Sequence, residues 1–259
     1  MSVQVLVAAM DQNDHSLLDT MNIQSDVIVG NQCDRNSVEE FEYQGHKAVY
    51  LNFAERGVGL NRNNALMRAT GDYCLFADDD MVYVADYPQI VEEAFEKNPS
   101  ADVIVFNLSE KNGSRKQITK KGRVTRLNYL RYGAARIAVR LRSVKSNGIY
   151  FNQCFGGGTE HCHGEDNLFL TACMDKGLKI VALPVTIAEL TDKRESTWYK
   201  GYDEKYLRDQ GILFRTMFRK SWFLWCMQDA FRRYRSYGMS PFRALRIMKR
   251  SAKLDFMKR

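Results

Sequence analysis

Three adjacent carboxylates, Asp78, Asp79 and Asp80, follow an apolar segment that is typical of a buried strand. In open α/β sheets, ligands bind outside the carboxyl ends of the strands. Neighbouring carboxylates repel one another, and a hard divalent cation relieves that repulsion because Mg²⁺ and Mn²⁺ prefer oxygen ligands from the protein and from substrate phosphates. The triplet therefore predicts a divalent-metal site at a strand end, and a solvated acidic turn is the alternative.

A second candidate segment runs from Gly57 to Ala65 and contains Arg62. Glycine lets the backbone approach a ligand closely, and the first turn of a helix offers unpaired N–H groups to anionic atoms. The guanidinium of Arg62 is planar and suits contacts to a nucleobase or a diphosphate. The same residues also describe an ordinary capped helix, so the segment alone leaves both interpretations open.

A third candidate is the pair Glu165 and Asp166, which follows Gly164 at the start of a predicted helix. A carboxylate at this point could serve as a base at the mouth of a site. The alternative is structural, since acidic residues in a first helical turn interact favourably with the helix dipole by about 0.3–1 kcal/mol.

Apolar strand-like segments alternate with helix-like segments along most of the chain. This alternation is typical of an α/β fold in which helices cover both faces of a mostly parallel central sheet. The predicted helices that bear on the candidate residues are 62–69 and 166–176, and the predicted strand before the acid triplet is 72–77. Residues 135–142 alternate with period two, which predicts a half-exposed strand with its arginines in water.

The net charge of +7 on the 259 residues is unevenly distributed. Residues 212–259 carry 13 basic and 2 acidic side chains, whereas the rest of the chain carries 25 basic and 29 acidic ones. Aromatic and basic residues dominate from about residue 205 onwards, and we expect two or three amphipathic helices there. Amphipathic helices of this composition bind to an anionic membrane surface through their aromatic and basic side chains. The alternative is that the aromatic rings pack on the body and the cations are solvated.

Six cysteines show no paired spacing, and the first residues lack the pattern of a secretory signal. We therefore expect reduced thiols in a cytoplasmic protein. Cys154, His161, Cys162 and His163 lie close together, but they lack the C-x2-C or H-x3-H spacing of structural zinc sites. Their spacing argues against structural zinc.

Taken in order, the three candidate segments resemble the motifs of the inverting GT-A glycosyltransferases of family 2. Those motifs are G-x-S-x-A-R-N-x-G/A, then A-x-G-D-Y-x-x-F-x-D-x-D-D, then G-E-D-x-x-F. The matching segments here are residues 57–65, 69–80 and 164–169. The resemblance implies a Rossmann-like GT-A domain over residues 1–205 and a helical extension over 206–259. The nucleotide-sugar-binding half would be about 1–108, and the acceptor half about 109–205.

The resemblance also implies roles for the charged residues that would meet the donor and its metal: Asp34, Arg62, Asp78, Asp79 and Asp80. Asp80 would bind the metal that bridges the diphosphate of the sugar nucleotide, and Asp78 would contact the same metal or the ribose. Arg62 and Asp34 would lie near the nucleobase. The second strand ends Asn31-Gln32-Cys33-Asp34 where the family has D-D-G-S-x-D, and this departure bears on the nucleobase contacts.

On the acceptor side, the resemblance makes Asp166 the catalytic base and Glu165 the second choice or an acceptor contact. Many relatives of the bacterial surface-polysaccharide type carry a histidine shortly before Ser-Thr-Trp. Here Asp192 occupies that place, with Glu189 nearby. Either acid could complete the metal shell or be a solvated loop residue.

The activity implied by the resemblance is transfer, with inversion, of a hexose or related sugar from a nucleoside-diphosphate sugar, UDP first among the donors, to a hydroxyl group of a glycan acceptor. The cofactor would be Mn²⁺ or Mg²⁺, and the acceptor a glycan held on a lipid pyrophosphate. The expected setting is surface-polysaccharide synthesis at the inner face of the plasma membrane, with residues 212–259 on its anionic surface. We expect no nucleic-acid partner.

Two other classes are compatible with parts of the sequence. A metal-dependent sugar-phosphate nucleotidyltransferase would also use strand-end acids, but the Gly-rich basic loop that such enzymes carry after the first strand is missing here. A non-catalytic binder of nucleic acids or anionic surfaces would use the basic tail, but the chain contains no recognisable nucleic-acid motif.

Overall fold

The computed structural model describes residues 1–110, 116–191 and 201–258. In these residues, ten strands form one sheet: β1 (Val3–Met10), β2 (Asp26–Gln32), β3 (Ser37–Tyr43), β4 (His46–Phe53), β5 (Tyr73–Asp78), β6 (Met81–Tyr83), β7 (Val103–Glu110), β8 (Gly122–Arg123), β9 (Ile137–Arg140) and β10 (Ile180–Leu190). The helices are α1 (Leu17–Thr20), α2 (Val58–Arg68), α3 (Tyr87–Glu96), α4 (Leu141–Ser146), α5 (Glu165–Asp175), α6 (Glu204–Met217), α7 (Trp222–Arg233) and α8 (Pro241–Lys258). The strand order is β3-β4-β2-β1-β5-β9-β7-β10-β6, and β8 pairs with β10.

The N-terminal half of the sheet is largely parallel. β1 pairs with β2 on one side and with β5 on the other, and β4 pairs with β2. The central residues of these strands are mostly apolar and buried, as expected for parallel strands that are covered on both faces. Ala8 of β1 stands in register with both Gly30 of β2 and Asp78 of β5. The acid triplet therefore lies at the carboxyl edge of the sheet.

The prediction of a half-exposed strand over residues 135–142 is correct about the strand but wrong about its extent and its exposure. Only Ile137–Arg140 is a strand, and it lies inside the sheet because β9 pairs antiparallel with both β5 and β7. The side chain of Arg136 is buried instead of lying in water. Its Nε donates to the carbonyl oxygen of Phe106 at 2.8 Å and its Nη2 donates to Oδ1 of Asn107 at 2.8 Å. These bonds compensate for the loss of hydration.

Helices cover both faces of the sheet. Leu18 of α1 and Phe95 of α3 belong to the hydrophobic core on one face. Leu66 of α2, Phe169 of α5 and Leu213 of α6 belong to the core on the other face. This α/β sheet with flanking helices confirms the predicted fold class, although β9 and the edge strands make the sheet mixed instead of nearly all parallel.

The C-terminal residues form three helices, α6, α7 and α8. A Cβ atom added to Gly211 of α6 would lie 2.3 Å from the carbonyl oxygen of Met248 in α8, so these two helices pack backbone against backbone. Other side chains of the tail face outward, and Phe231 and Phe242 are 46% and 69% exposed. α6 also packs on the body, since a Cβ added to Gly164 would lie 2.5 Å from the side chain of Leu213. The tail thus contacts the body and also leaves an aromatic surface, and a domain boundary near residue 205 stays a prediction. Within the described ranges, no helix combines the length and the apolar character that a membrane crossing requires.

Candidate active site

The acid triplet lies at the carboxyl edge of the sheet. Asp78 is the last residue of β5, and Asp79 and Asp80 form the turn into β6. All three side chains are partly exposed, and the main-chain N–H of Met10 donates to Oδ2 of Asp79 at 3.4 Å. The carbonyl oxygen of Asp80 accepts a hydrogen bond from the N–H of Thr191 at 2.8 Å, which fixes the turn against the end of β10. This set of carboxylate oxygens suits a hard divalent cation such as Mg²⁺ or Mn²⁺.

Arg62 connects the first segment with the other two. α2 begins four residues earlier than predicted, directly after Gly57. The φ of Gly57 is 125°, a backbone conformation that glycine adopts and other residues rarely do. The guanidinium of Arg62 is buried and donates to Asp78 Oδ1 at 2.6 Å through Nη2 and to Glu165 Oε1 at 2.9 Å through Nη1. It also lies 5.4 Å from the ring centre of Phe151. Although burial acts against the charge, the two carboxylates raise the pKa of Arg62, and the guanidinium stays charged.

Glu165 and Asp166 form the first turn of α5, as predicted, but their environments differ. Gly156 makes room for Glu165, since an added Cβ would lie 2.8 Å from its carboxyl group. Glu165 is ion-paired with Arg62, whereas the Oδ1 of Asp166 accepts only the N–H of Asn167 at 2.6 Å among its described contacts. Burial, followed by the charge of Glu165, raises the pKa of Asp166 to about 7. Asp166 is thus the carboxylate suited to exchanging a proton near neutral pH.

The structure brings together Arg62, Asp78 and both acids of α5, but it places Asp34 apart from them. The side chain of Asp34 is 95% exposed and accepts a hydrogen bond from Nη2 of Arg56 at 2.8 Å. The two terminal nitrogens of Arg62 are both engaged by carboxylates, so contacts of Arg62 and Asp34 with a nucleobase stay predictions. Glu189 is an exposed residue of β10, and Asp192 lies outside the described residues.

A network of amides that the sequence reasoning missed lies at the same edge. The Nδ2 of Asn31, at the end of β2, donates to Asn52 Oδ1 at 2.7 Å and to the carbonyl oxygen of Gln12 at 2.9 Å. The Oε1 of Gln32 accepts the N–H of Gly57 at 2.8 Å and so ties β2 to the start of α2. Polar residues at the end of an apolar strand were the signal that could have revealed this network, since strand ends form the ligand-binding edge.

The fold is similar to that of Staphylococcus aureus TarS. The match to TarS 1–349 in complex with UDP-GlcNAc has a TM-score of 0.59 and 20% identity, and covers 83% of this chain and 66% of that one. The match to TarS 1–349 in complex with UDP has a TM-score of 0.55 and 19% identity, with 83% and 66% covered. The match to a longer TarS structure has a TM-score of 0.57 and 18% identity, with 83% and 39% covered. This chain therefore spans just under two thirds of the length of the shorter structures, and the likeness shows a shared GT-A fold.

No curated protein matches this chain in sequence at a significant level. The sequence model of the family described as "Glycosyl transferase family 2" matches residues 3–155, which is more than half of the chain. The matched region includes Arg62 and the acid triplet and ends before α5. The chain therefore belongs to glycosyl transferase family 2.

Proposed function

We propose that this protein is a metal-dependent inverting glycosyltransferase that moves a hexose or related sugar from a nucleoside-diphosphate sugar to a hydroxyl group of a glycan acceptor. The observation that carries the proposal is the pair of ion pairs made by Arg62. They join Asp78, at the strand end where a donor would bind, to Glu165, which precedes the proposed base Asp166. Membership of family 2 supports the transfer of a sugar from a nucleotide donor.

On the donor side, the carboxylates of Asp78 and Asp80 would hold Mg²⁺ or Mn²⁺, with Asp79 close by. The cation would stabilise the negative charge that develops on the departing nucleoside diphosphate, by several kcal/mol. Arg62 would act as a positioning residue, because its two hydrogen bonds fix the carboxylates of Asp78 and Glu165 relative to each other. UDP is the proposed nucleotide because two of the structures with a similar fold were solved with UDP-GlcNAc and with UDP.

On the acceptor side, Asp166 would act as the general base. Its Oδ1 is engaged by the N–H of Asn167, so Oδ2 is the atom that would receive the proton of the acceptor hydroxyl. Gly133 lies beside Oδ2 and has no side chain to obstruct it, since even a Cβ there would be 3.4 Å away. A base in this position contributes typically 10²–10⁴-fold to the rate. The oxygen would then attack the sugar from the face opposite the leaving group, which inverts the anomeric centre in one step.

For the acceptor we propose a glycan on a lipid pyrophosphate, as in the synthesis of bacterial surface polysaccharides, at the inner face of the plasma membrane. The support comes from the tail, where exposed aromatic side chains such as Phe223 and Phe242 accompany the basic residues of 212–259. Each Lys or Arg close to an anionic leaflet contributes about 1 kcal/mol to binding. Co-sedimentation with vesicles that contain phosphatidylglycerol, and no co-sedimentation with neutral phosphatidylcholine vesicles, is the expected result.

The central test is the melting temperature with UDP, GDP or dTDP, with and without Mn²⁺. A ligand at 100 times its dissociation constant stabilises the fold by about 2.7 kcal/mol, or roughly 5–10 °C for a chain of this size. We expect such a rise with one nucleotide, only in the presence of the metal, and its loss in Asp80→Asn. Asp86→Asn is the matched control, because Asp86 is an exposed acid before α3 whose N–H donates to Oε1 of Gln24, just before the start of β2 and so at the other end of the strands.

Release of nucleoside diphosphate from a panel of UDP-, GDP- and dTDP-sugars with Mn²⁺ then identifies the donor. The absence of both a melting shift and any release would contradict the proposal. Release of pyrophosphate from a nucleoside triphosphate and a sugar phosphate would instead identify a nucleotidyltransferase.

A further inference from the structure

A second polar cluster lies between the loop before α5 and the helix α6. The buried carboxylate of Asp209, in α6, accepts the N–H of Cys162 at 3.0 Å and the ammonium of Lys205 at 2.7 Å. The Nδ1 of His161 lies 3.2 Å from its other oxygen. The thiol of Cys162 also hydrogen-bonds to this carboxylate, so an ion that replaced the thiol proton would meet both groups.

Three possible metal ligands meet in this cluster. The Sγ of Cys162, a ring nitrogen of His163 and a carboxylate oxygen of Asp209 all lie within 4.8 Å of one another. The distance between the Sγ of Cys162 and the Nδ1 of His163 is 3.2 Å. In a tetrahedral site with Zn–S of about 2.3 Å and Zn–N of about 2.0 Å, the ligand atoms are about 3.5 Å apart. The spacing of Cys162 and His163 is therefore close to that around one ion, and the carboxylate of Asp209 would move towards the pair.

The imidazole of His163 is already oriented for coordination. Its Nε2 lies 2.8 Å from the Oε1 of Gln210, and because an amide oxygen only accepts, Nε2 carries the proton. The lone pair of Nδ1 is then directed to the side of Cys162. The ring also stacks on Tyr206 at 4.2 Å between centres, with 13° between the planes. Ligating histidines are typically held in this way, with the second nitrogen bonded to an acceptor outside the metal shell.

We propose that Cys162, His163 and Asp209 form a zinc site that is separate from the strand-end carboxylates. The mixed set of sulfur, nitrogen and oxygen ligands favours Zn²⁺ over Mg²⁺ or Mn²⁺, which prefer oxygen ligands alone. On binding, the thiol proton of Cys162 leaves to solvent as the Sγ–zinc bond forms. The loop residues alone lack the spacing of a structural zinc site, and Asp209 of α6 supplies the ligand that they lack.

The position of the site gives it a function within the molecule. Cys162 and His163 directly precede Gly164, the N-cap residue of α5, and Asp209 lies in the first half of α6. An ion bound to all three would fix the loop that leads to Glu165 and Asp166 against the C-terminal helices. The zinc site would thus stabilise the link between the catalytic body and its tail.

The test is calorimetric titration of the chelator-treated full chain with Zn²⁺, without nucleotide. We expect one equivalent to bind, a rise in melting temperature, and a cobalt–thiolate charge-transfer band when Co²⁺ replaces Zn²⁺. Cys162→Ser and Asp209→Asn should each weaken binding by at least tenfold. Cys154→Ser is the matched control, because Cys154 is an exposed cysteine of the same loop and should leave binding unchanged.

Far-UV circular dichroism of each variant establishes that it is folded, and His163→Gln serves as a further ligand variant. Binding of no zinc by the folded chain, or equal binding by Cys162→Ser, would overturn the proposal. Asp80→Asn should retain the zinc site, and its loss there would assign the ion to the strand ends instead. Because no nucleotide is present, failure here is distinguishable from failure of the proposed transferase activity.

Discussion

Replacement of Asp166 by Asn is the perturbation that most directly probes the proposed mechanism. The pKa of Asp166 is raised to about 7 by burial and by the neighbouring charge of Glu165. A general base acts only when it is deprotonated, so kcat/KM of the wild type should fall about tenfold for each pH unit below about 7. An ordinary aspartate, with a pKa near 3.8, would show no such fall above pH 5. Asp166→Asn should lose roughly 10²–10⁴-fold of the transfer rate and keep metal-dependent UDP binding.

The raised pKa of Asp166 also determines whether its contribution to stability rises or falls with pH. Between pH 3.8 and about 7, the folded protein holds a proton on Asp166 that the unfolded chain has lost, so the contribution of Asp166 to stability falls as pH rises through this window. One pKa unit corresponds to about 1.36 kcal/mol, so the span from about pH 5.5 to 7 amounts to about 2 kcal/mol before solvent screening. Because the side chain is partly exposed, we expect roughly half of that, about 1 kcal/mol.

Urea unfolding at pH 5.5 and pH 8 measures this difference. Relative to Asp166→Asn, the wild type should lose about 1 kcal/mol of unfolding free energy between the two pH values. Asp86→Asn, at an exposed site, should change in parallel with the wild type. A flat rate profile from pH 5 to pH 8, together with a stability difference between the wild type and Asp166→Asn that is the same at pH 5.5 and at pH 8, would refute the reasoning.

The other predictions concern the metal, the ion pairs and a glycine. Asp80→Asn should abolish the Mn²⁺-dependent part of the melting shift by UDP, as differential scanning fluorimetry would show. Arg62→Met should lower the free energy of unfolding, measured in urea, by about 3–5 kcal/mol, because the carboxylates of Asp78 and Glu165 lose their buried partner. Gly164→Ala should cost about 2–4 kcal/mol, since φ is 107° there and an added Cβ would lie 2.5 Å from Leu213. Gly177→Ala, with φ of 77° and open space around it, should cost only about 1 kcal/mol.

The sequence predicts most reliably what is encoded locally. The apolar segment before the acid triplet is β5, displaced by one residue from the predicted 72–77, and its final residue is Asp78. The predicted helix 166–176 is displaced likewise, and Gly177, with φ of 77°, follows its end. In each case neighbouring residues determine the element, so no distant contact is needed to recognise it.

Edge and interior strands were predicted less well because their environment depends on distant residues. In β3, acidic and apolar residues alternate over Glu40–Tyr43, and Gln44 and Gly45 of the turn to β4 both have positive φ. Together these features are typical of a hairpin. The case of β9 differs from that of β3, because arginines that alternate with apolar residues are equally consistent with an exposed and with a buried strand. Arg136 is buried because Phe106 and Asn107 supply acceptors for its guanidinium.

In the candidate site, too, the residue types were predictable from the sequence and their contacts were not. Residue types and order singled out the acid triplet and the acids of α5, but they did not reveal that Arg62 is bound by carboxylates from two of these segments. Nor did they reveal that α6 contributes Asp209 to the loop at His161–His163. Both arrangements depend on how helices pack on the sheet, and no local pattern in one sequence reports that packing.

The balance of charge at the strand ends gives a reason for the proposed metal requirement. The buried guanidinium of Arg62 is the cation that the structure places between the strand end and α5, and it is bound by the carboxylates of Asp78 and Glu165. Its charge is therefore already compensated before a donor arrives. The negative charge of a nucleoside diphosphate then requires another positive charge, which a divalent cation held by oxygen ligands would supply. UDP should accordingly bind at least tenfold more weakly without Mn²⁺. Equal affinity with and without the metal, measured by calorimetry, would show that the charge of the diphosphate is compensated in another way.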